Sequence, residues 1–192
     1  MKIDKSIIVS FVLLVVIASL YRIMPGRPYG FAPQIAMALF SGSIVKNKAY
    51  SFLLPLFSML LSDVLYEVLF QLKISPIPGF YGGQWINYLL FGAVTIIGFA
   101  INQNKWISIL VGSMAGVLFY FVASNFAVWI GGGLALNNLP YPKTIDGLMT
   151  CLAAGVPFMK NSFFATLFFS SVLFGSYYLL NKKAIASEAT SL

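Results

Sequence analysis

Three polar side chains lie one helical turn apart within a long apolar segment. Asp63, Glu67 and Gln71 follow one another at four-residue intervals inside Tyr50–Leu72, so on a helix they share one face. Ionisable groups at membrane depth are costly and usually face a bundle interior or an aqueous cavity. Two carboxylates at this spacing repel each other, so either one is protonated or a cation neutralises them. That cation could be a bound solute, an ion or an arginine.

The same acidic pair also has a structural interpretation. A salt bridge from Asp63 or Glu67 to Arg22 or Arg27 would tie the first connection of the chain to the third apolar segment. The two interpretations are compatible, because a binding site often uses such pairs to hold its walls.

The composition indicates a membrane protein and excludes several kinds of site. Of the 192 residues, 59% are hydrophobic and 9% are charged, which is too few polar side chains to cover a water-soluble globule. With no histidine and one cysteine, a His-based or multi-Cys metal site, haem ligation by His and an internal disulfide are excluded. We expect no cofactor, and we interpret Cys151 as packing. The net charge of +7 is spread between segments, which argues against nucleic-acid binding.

Five apolar segments approach the roughly 20 residues that a membrane span needs. They are Ile7–Ile23, Tyr50–Leu72, Trp85–Ile101, Ile107–Ile130 and Asn161–Leu180. Phe31–Val45 is a short sixth segment that either spans a thinned bilayer or re-enters it. With six spans the inside holds seven Lys and Arg residues against five outside, which places both termini in the cytoplasm. Because the alternating pattern of barrel strands is absent, we expect the bacterial inner membrane.

The stretch before the last span predicts a lid. Gly131–Lys160 contains several residues that break regular structure, but Thr144–Val156 could form one apolar helix that Thr144 caps. This helix is too short to cross, so we expect it to be interfacial or re-entrant, over the outer face. The predicted fold is an all-α integral membrane protein with six transmembrane helices, the second one short. It forms a single domain over residues 1–183, followed by a short polar tail, residues 184–192.

Polar and aromatic side chains are predicted to collect on the outer side of the membrane. Aromatic residues near that boundary could stack on a flat ligand or form the ordinary aromatic belt of a membrane interface. They are Trp85, Tyr88, Trp129, Tyr141 and Phe158. Amides within spans need partners, which a ligand or a neighbouring helix could supply. The predicted substrate-binding residues are Arg22, Asp63, Glu67, Asn87, Asn125, Trp129, Tyr141 and Asp146.

Small residues at fourfold spacing predict close contacts between helices. Ala32–Ala36, Ala38–Gly42 and Gly112–Gly116 would let helix backbones approach each other. Such packing is usually internal. Alternatively, the small residues of the second segment form a docking face for another membrane subunit. Those residues are Ala32, Ala36, Ala38 and Gly42.

A set of short motifs between Arg22 and Gly175 resembles a known family. In order, the motifs are Arg22-x-x-Pro25, Phe31-x-Pro33-x-x-Ala36-x-Ala38-Leu39-Phe40-x-Gly42, Ser62-Asp63, Asn125-Phe126-x-Val128-Trp129, Tyr141-Pro142-x-Thr144-x-x-Gly147-Leu148-x-x-Cys151, Pro157-Phe158 and Phe174-Gly175. Together they resemble an uncharacterised bacterial family of domains of unknown function, whose members are described as candidate transport proteins. The sequence departs from that pattern at Gly30, where the family leads us to expect an asparagine.

More distantly, the small size, six spans and outward site resemble the substrate-binding S components of energy-coupling-factor (ECF) vitamin transporters. That resemblance implies a chain that binds a vitamin-like solute outside and pairs with a transmembrane coupling subunit and two ATPases. In those proteins an Ala-x-x-x-Ala helix face docks on the coupling subunit, and Ala32–Ala36 is similar to it in spacing.

The leading functional hypothesis is a membrane transport protein. It would be a substrate-binding subunit that captures a small vitamin-like, cationic or zwitterionic nutrient at an outward-facing site. The rival hypothesis is a non-transporting accessory subunit of a larger membrane assembly, in which the acidic pair is a structural bridge. An enzyme that uses the two carboxylates as acid and base ranks last, because nothing supplies a nucleophile or a metal cage.

Overall fold

The chain folds into six α-helices and one short 3-10 turn in a computed structural model that describes residues 5–190, with side-chain burial for residues 9–180. The helices are α1 (Lys5–Ile23), α2 (Gln34–Ile44), α3 (Leu53–Gln71), α4 (Trp85–Gly98), α5 (Trp106–Ile130) and α6 (Ile145–Thr190), and the 3-10 turn is Tyr50–Phe52. Within residues 5–190 there is no β-strand, and β-type pairing is limited to an isolated bridge between Leu134 and Pro140. The all-α prediction is confirmed.

Three of these segments are long and apolar enough to cross a membrane, namely Tyr50–Gln71, Trp106–Ile130 and Ile145–Leu180. Large apolar side chains are exposed along their outward faces, far more than the small apolar patches that water-soluble monomers expose. The described part of α1, together with α2 and α4, forms shorter apolar helices. These features support a membrane protein.

The shortest helix, α2, lies at the centre of the bundle. Eight of its 11 residues are buried, and it packs against α3, α4, α5 and α6. A helix that is apolar on every side is a buried helix. At 1.5 Å per residue α2 is about 16 Å long, roughly half the thickness of a bilayer's hydrocarbon core. The short apolar segment Phe31–Val45 therefore supplies the core of the bundle.

Glycines allow the backbones of α2 and α4 to touch. A Cβ atom on Gly42 would collide with the carbonyl oxygen of Thr95, and a Cβ atom on Gly98 would lie 2.6 Å from the carbonyl oxygen of Leu39. Only a hydrogen at these positions permits the observed separation. The close helix contact predicted from the small residues is therefore present, within this chain.

The predicted docking residues of α2 are mostly enclosed by that packing. Ala36 and Ala38 are fully buried, Gly42 is buried, and Ala32 is partly buried. Because the other helices surround these residues, Ala36, Ala38 and Gly42 present no surface to another subunit in this structure. The fourfold spacing reflects internal packing instead.

The last helix is continuous where the sequence predicted two elements. It begins at Ile145 and runs through Pro157 and Lys160 to Thr190. The separate interfacial or re-entrant helix predicted over Thr144–Val156 is therefore wrong, and so is the lid assigned to it. The predicted cap is correct, since Thr144 Oγ1 accepts a hydrogen bond from the N–H of Gly147 at 3.2 Å.

Contacts on both sides of Pro157 explain this continuity. Before the proline, Gly155 packs against the side chain of Asn125 on α5. After it, Asn161 donates a hydrogen bond to the carbonyl oxygen of Tyr29 at 2.8 Å. A proline removes one helical hydrogen bond, but a membrane helix tolerates that loss where neighbouring groups support it. The helix also continues into the predicted polar tail as far as Thr190.

Gly30 marks the place where the α1–α2 connection rests on α6. Its φ angle is +80°, a conformation that glycine and, less readily, asparagine adopt. A Cβ atom there would lie 2.6 Å from the carbonyl oxygen of Phe158, and Ser162 Oγ donates to the Gly30 carbonyl oxygen at 2.9 Å. An asparagine would suit the backbone angle but would collide with α6, which accounts for the glycine.

Alanine substitution at each of two glycines tests the α2–α4 contact. Gly98→Ala places a methyl group against the backbone of Leu39, so we expect the free energy of unfolding to fall by about 1–3 kcal/mol. Gly175→Ala is the matched control, because its Cβ atom would meet nothing within 4 Å and helix propensity should leave stability equal or slightly higher. Thermal unfolding of the detergent-solubilised chain measures both. Equal melting temperatures for the two variants would contradict the tight contact.

Candidate functional site

A buried ion pair joins the end of α1 to the middle of α3. Arg22 Nη1 donates a hydrogen bond to Asp63 Oδ1, and this is the one ion pair among the described residues. The same nitrogen donates to Ser62 Oγ at 2.5 Å and to the Met59 carbonyl oxygen at 3.5 Å. Asp63 is only 1% exposed, and a charge buried to that extent persists only when it is paired and hydrogen-bonded. Arginine is therefore the cation that neutralises Asp63.

The second oxygen of Asp63 is held from α4. Gln84 Nε2 donates to Asp63 Oδ2, and the Tyr88 hydroxyl donates to the same oxygen at 2.6 Å. Gln84 also donates to the Gly79 carbonyl oxygen at 2.9 Å, which fixes the α3–α4 connection. Both carboxylate oxygens are thus bonded within the chain, and α1, α3 and α4 meet at one side chain.

Glu67 supports a loop and takes no part in the ion pair. Its Oε1 accepts a hydrogen bond from Gln71 Nε2 at 2.7 Å. Its Oε2 accepts from the backbone N–H of Gly79 at 3.1 Å and of Phe80 at 3.4 Å. Asp63 and Glu67 therefore share a helix face, as predicted, but they share no cation. A Cβ atom on Gly79 would collide with the backbone of α3, so the loop lies directly on the helix.

A cavity of about 170 Å³ lies beside the ion pair. Its lining combines two guanidinium groups, one carboxylate and three tyrosine rings. These residues are Arg22, Arg27, Asp63, Tyr29, Tyr66 and Tyr81. Tyr29 and Tyr81 are exposed and form its rim. Such a mixture of aromatic surface and a few polar groups occurs in sites for small molecules, but the volume is below the roughly 300–1,000 Å³ of drug-sized ligand sites. The cavity therefore has room for a small molecule or for one end of a larger one.

Main-chain oxygens and an aromatic ring position the two arginines that line this cavity. The Arg22 carbonyl oxygen accepts hydrogen bonds from the Tyr66 hydroxyl at 2.8 Å and from Arg27 Nε at 3.1 Å. Arg27 Nη1 donates to the Phe31 carbonyl oxygen at 2.8 Å. The guanidinium carbon of Arg22 lies 5.8 Å from the centre of the Tyr66 ring. Each arginine is therefore positioned by several contacts.

Asn87 extends the polar network from the cavity rim to α5. Its Nδ2 donates to the Tyr81 hydroxyl oxygen at 2.8 Å, and its Oδ1 accepts from the Tyr120 hydroxyl at 3.2 Å. The Tyr120 ring stacks on Phe91 with 4.9 Å between centres. Asn87 thus reaches the cavity only through Tyr81, and its amide is satisfied inside the chain.

The other predicted binding residues lie apart from the cavity, on the hairpin of α5 and α6. Asn125 Nδ2 donates to the Phe121 carbonyl oxygen within α5 at 2.7 Å. Trp129 Nε1 donates to the Pro142 carbonyl oxygen at 2.7 Å. Tyr141 is buried, and Asp146 is exposed in the first turn of α6. The structure does not bring Asn125, Trp129, Tyr141 and Asp146 to the ion pair. Of these bonds, that of Trp129 joins the end of α5 to the segment before α6, and that of Asn125 stays within α5.

Several residues around the ion pair and in the core were not predicted as site residues. The sequence indicates Arg27 only as a candidate ion-pair partner, and Gln84 lies in a loop whose position the sequence does not reveal. Gln34 is 2% exposed on α2, and within the described residues neither atom of its side-chain amide has a hydrogen-bond partner. Gln34 is a polar residue inside the apolar segment Phe31–Val45, and this feature of the sequence indicates a candidate buried polar site.

The ion pair should dominate the stability of this end of the bundle. Asp63→Asn leaves the Arg22 guanidinium without its counter-charge, so we expect the free energy of unfolding to fall by about 3–5 kcal/mol. Glu67→Gln makes the same chemical change one turn away, where the carboxylate is partly exposed, and should cost less. Denaturant unfolding in detergent compares the free energies of unfolding of the two variants.

A double variant separates the ion pair from the other bonds of Asp63. Arg22→Gln combined with Asp63→Asn removes both charges, so its loss should be smaller than the sum of the two single losses. Strictly additive losses would show that the pair contributes no coupling energy.

Comparison with known proteins places the chain in a family. The family model described as "Family of unknown function (DUF6580)" matches residues 2–189, nearly the whole sequence. No curated protein and no solved structure matches the chain. The resemblance to an uncharacterised domain family is confirmed, whereas transport and the likeness to ECF S components stay predictions. The chain belongs to the family of unknown function DUF6580.

Proposed function

We propose that this chain is a substrate-binding subunit of a membrane transport system, which captures a small polar solute in the cavity beside Arg22 and Asp63. The observation that carries this proposal is the cavity itself, about 170 Å³ in volume and lined by charged and aromatic side chains. Sites for small molecules in helical bundles lie between helices. Buried ionisable groups in membrane proteins commonly mark substrate pathways.

Asp63 and Glu67 hold in place the helices and the loop that surround the cavity. Asp63 ties α1 and α4 to α3, while Glu67 holds the loop at Gly79 that forms part of the cavity wall. A bound solute would then meet surfaces that these carboxylates have already positioned. Preorganisation of this kind increases affinity because less ordering is needed on binding.

The bonding of the carboxylates narrows the chemistry of the solute. A purely cationic solute would have to replace Arg22 at Asp63, whose two oxygens already accept bonds from three side chains. A zwitterion does not need that exchange. The rings of Tyr29, Tyr66 and Tyr81 offer surfaces for a ring-bearing molecule.

We further propose six spans in the bacterial inner membrane, with both termini in the cytoplasm. The distribution of Lys and Arg supports this orientation. Contacts at the end opposite the cavity also fit, because Ser43 Oγ donates to the Ile101 carbonyl oxygen at 3.0 Å and Lys48 Nζ lies 4.7 Å from the centre of the Phe99 ring. The α2–α3 and α4–α5 connections therefore lie together, as the proposed cytoplasmic side requires.

Cysteine labelling tests the orientation. In a Cys151→Ser background, we expect a membrane-impermeant maleimide to label Lys143→Cys in intact cells. Lys46→Cys and Lys105→Cys should react only after lysis, because both lie on the proposed cytoplasmic side. Labelling of Lys46→Cys in intact cells would contradict the six-span topology.

One observation favours a second function, that of a non-transporting accessory subunit. Every oxygen of Asp63 is bonded to the chain itself, as a purely structural bridge requires. In that case the chain would pair with other membrane proteins and bind no solute.

Filling the cavity distinguishes the two functions. Ile77 lines the cavity and is 42% exposed, so Ile77→Trp should occupy the space without disturbing the fold. Ile74→Trp is the matched control, because Ile74 is exposed and lines a separate open groove. Native mass spectrometry of the chain, released gently from its membrane, should show a small molecule on the wild type and on Ile74→Trp, but not on Ile77→Trp. A ligand-free wild type bound stoichiometrically to proteins unrelated to transport would support the accessory subunit.

A further inference from the structure

The charges lining the cavity do not cancel. Arg22 is paired with Asp63, which accounts for one positive and one negative charge. Arg27 also lines the cavity, and no carboxylate among the described residues pairs with it. Its neighbours are the carbonyl oxygens of Arg22, Phe31 and Pro28. The lining therefore carries one uncompensated positive charge.

The guanidinium of Arg27 is oriented while part of it is left free to bind. Nε and Nη1 donate to backbone oxygens, but within the described residues Nη2 donates no hydrogen bond. Among the described residues, the Arg22 guanidinium donates through Nη1 alone, to Met59, Ser62 and Asp63. Two arginines thus face one cavity with unused N–H groups.

Glu67 is the carboxylate next to this site along α3, and its bonds direct it elsewhere. Both of its oxygens are engaged by Gln71 and by the backbone at Gly79 and Phe80. It is absent from the cavity lining. Glu67 lowers the local potential to some extent, but it offers no direct partner to Arg27.

We propose that the cavity recognises an anionic group, a carboxylate or a phosphate, through Arg27 and the unused edge of Arg22. This inference rests on the proposed function and specifies the charge of the ligand. Planar guanidinium groups bind both anions through paired hydrogen bonds. Tyr29 and Tyr81 line the same cavity as the two arginines and offer aromatic surface to the rest of the molecule. The anion is carried either by a free solute or by the headgroup of an anionic lipid.

Two ring compounds that differ in charge provide the test. Benzoate and benzylammonium are titrated separately into the full-length chain in neutral detergent, with inorganic phosphate as a third probe, and binding is measured by calorimetry. We expect benzoate or phosphate to bind and benzylammonium not to bind. Arg27→Gln should raise the dissociation constant of the anion about tenfold or more, and Arg27→Lys should raise it less. Lys160→Gln is the matched control, because it removes an exposed cation outside the cavity lining and should leave binding unchanged.

The source of the anion is resolved in nanodiscs. The chain is reconstituted in phosphatidylcholine with and without phosphatidylglycerol, and the lipids it retains are recorded by native mass spectrometry. Phosphatidylglycerol held by the wild type and lost in Arg27→Gln, with no affinity for benzoate or phosphate, would support anion recognition but contradict capture of a soluble solute. Binding of benzylammonium alone would overturn the anion assignment and leave solute binding intact. Failure of benzoate, phosphate and phosphatidylglycerol to bind, or equal effects of Arg27→Gln and Lys160→Gln, would overturn the inference.

Discussion

Much of this structure depends on neutralising one carboxylate inside an apolar bundle. A buried ionised Asp63 needs a counter-charge and hydrogen-bond donors. Arg22 on α1 supplies the counter-charge. Gln84, just before α4, and Tyr88, within α4, supply the other hydrogen bonds. Satisfying that one side chain brings together the end of α1, the middle of α3 and the start of α4. The cavity lies beside this junction, so the interaction that stabilises the fold also shapes the candidate site.

The centre of the bundle depends on close apolar packing, with no charge to neutralise. Lipid chains are as apolar as leucine, so helices in a membrane associate mainly through close van der Waals contact. The short helix α2 meets this need with alanines and with Gly42, which touches α4 near Gly98. Because α2 is enclosed on all sides, the bundle has a tightly packed core and a polar end.

The sequence predicted individual elements better than it predicted how they assemble. The helical class and the polar face of α3 follow from residue type and spacing, and the structure contains both. The sequence left open a salt bridge from Asp63 or Glu67 to Arg22 or Arg27, and the structure contains the bridge between Arg22 and Asp63. The break predicted before Asn161 is absent, because α5 and the α1–α2 connection support α6 on both sides of Pro157. A proline weakens a helix locally, and only tertiary contacts determine whether the helix ends there.

Apolar content and four-residue spacing are properties of the chain alone, so the sequence by itself determined that this is a helical membrane protein with carboxylates on one face. It left open whether a bound solute, an ion or an arginine neutralises those carboxylates. Only the tertiary structure decided that Asp63 is bonded on both oxygens and that Glu67 supports a loop. It also decided that Arg27 lines the cavity and, among the residues that the structure describes, has no carboxylate partner. These contacts depend on where the loops place Gln84, Gly79 and Arg27 in space. The paths of the loops follow from the packing of helices that are distant in the sequence.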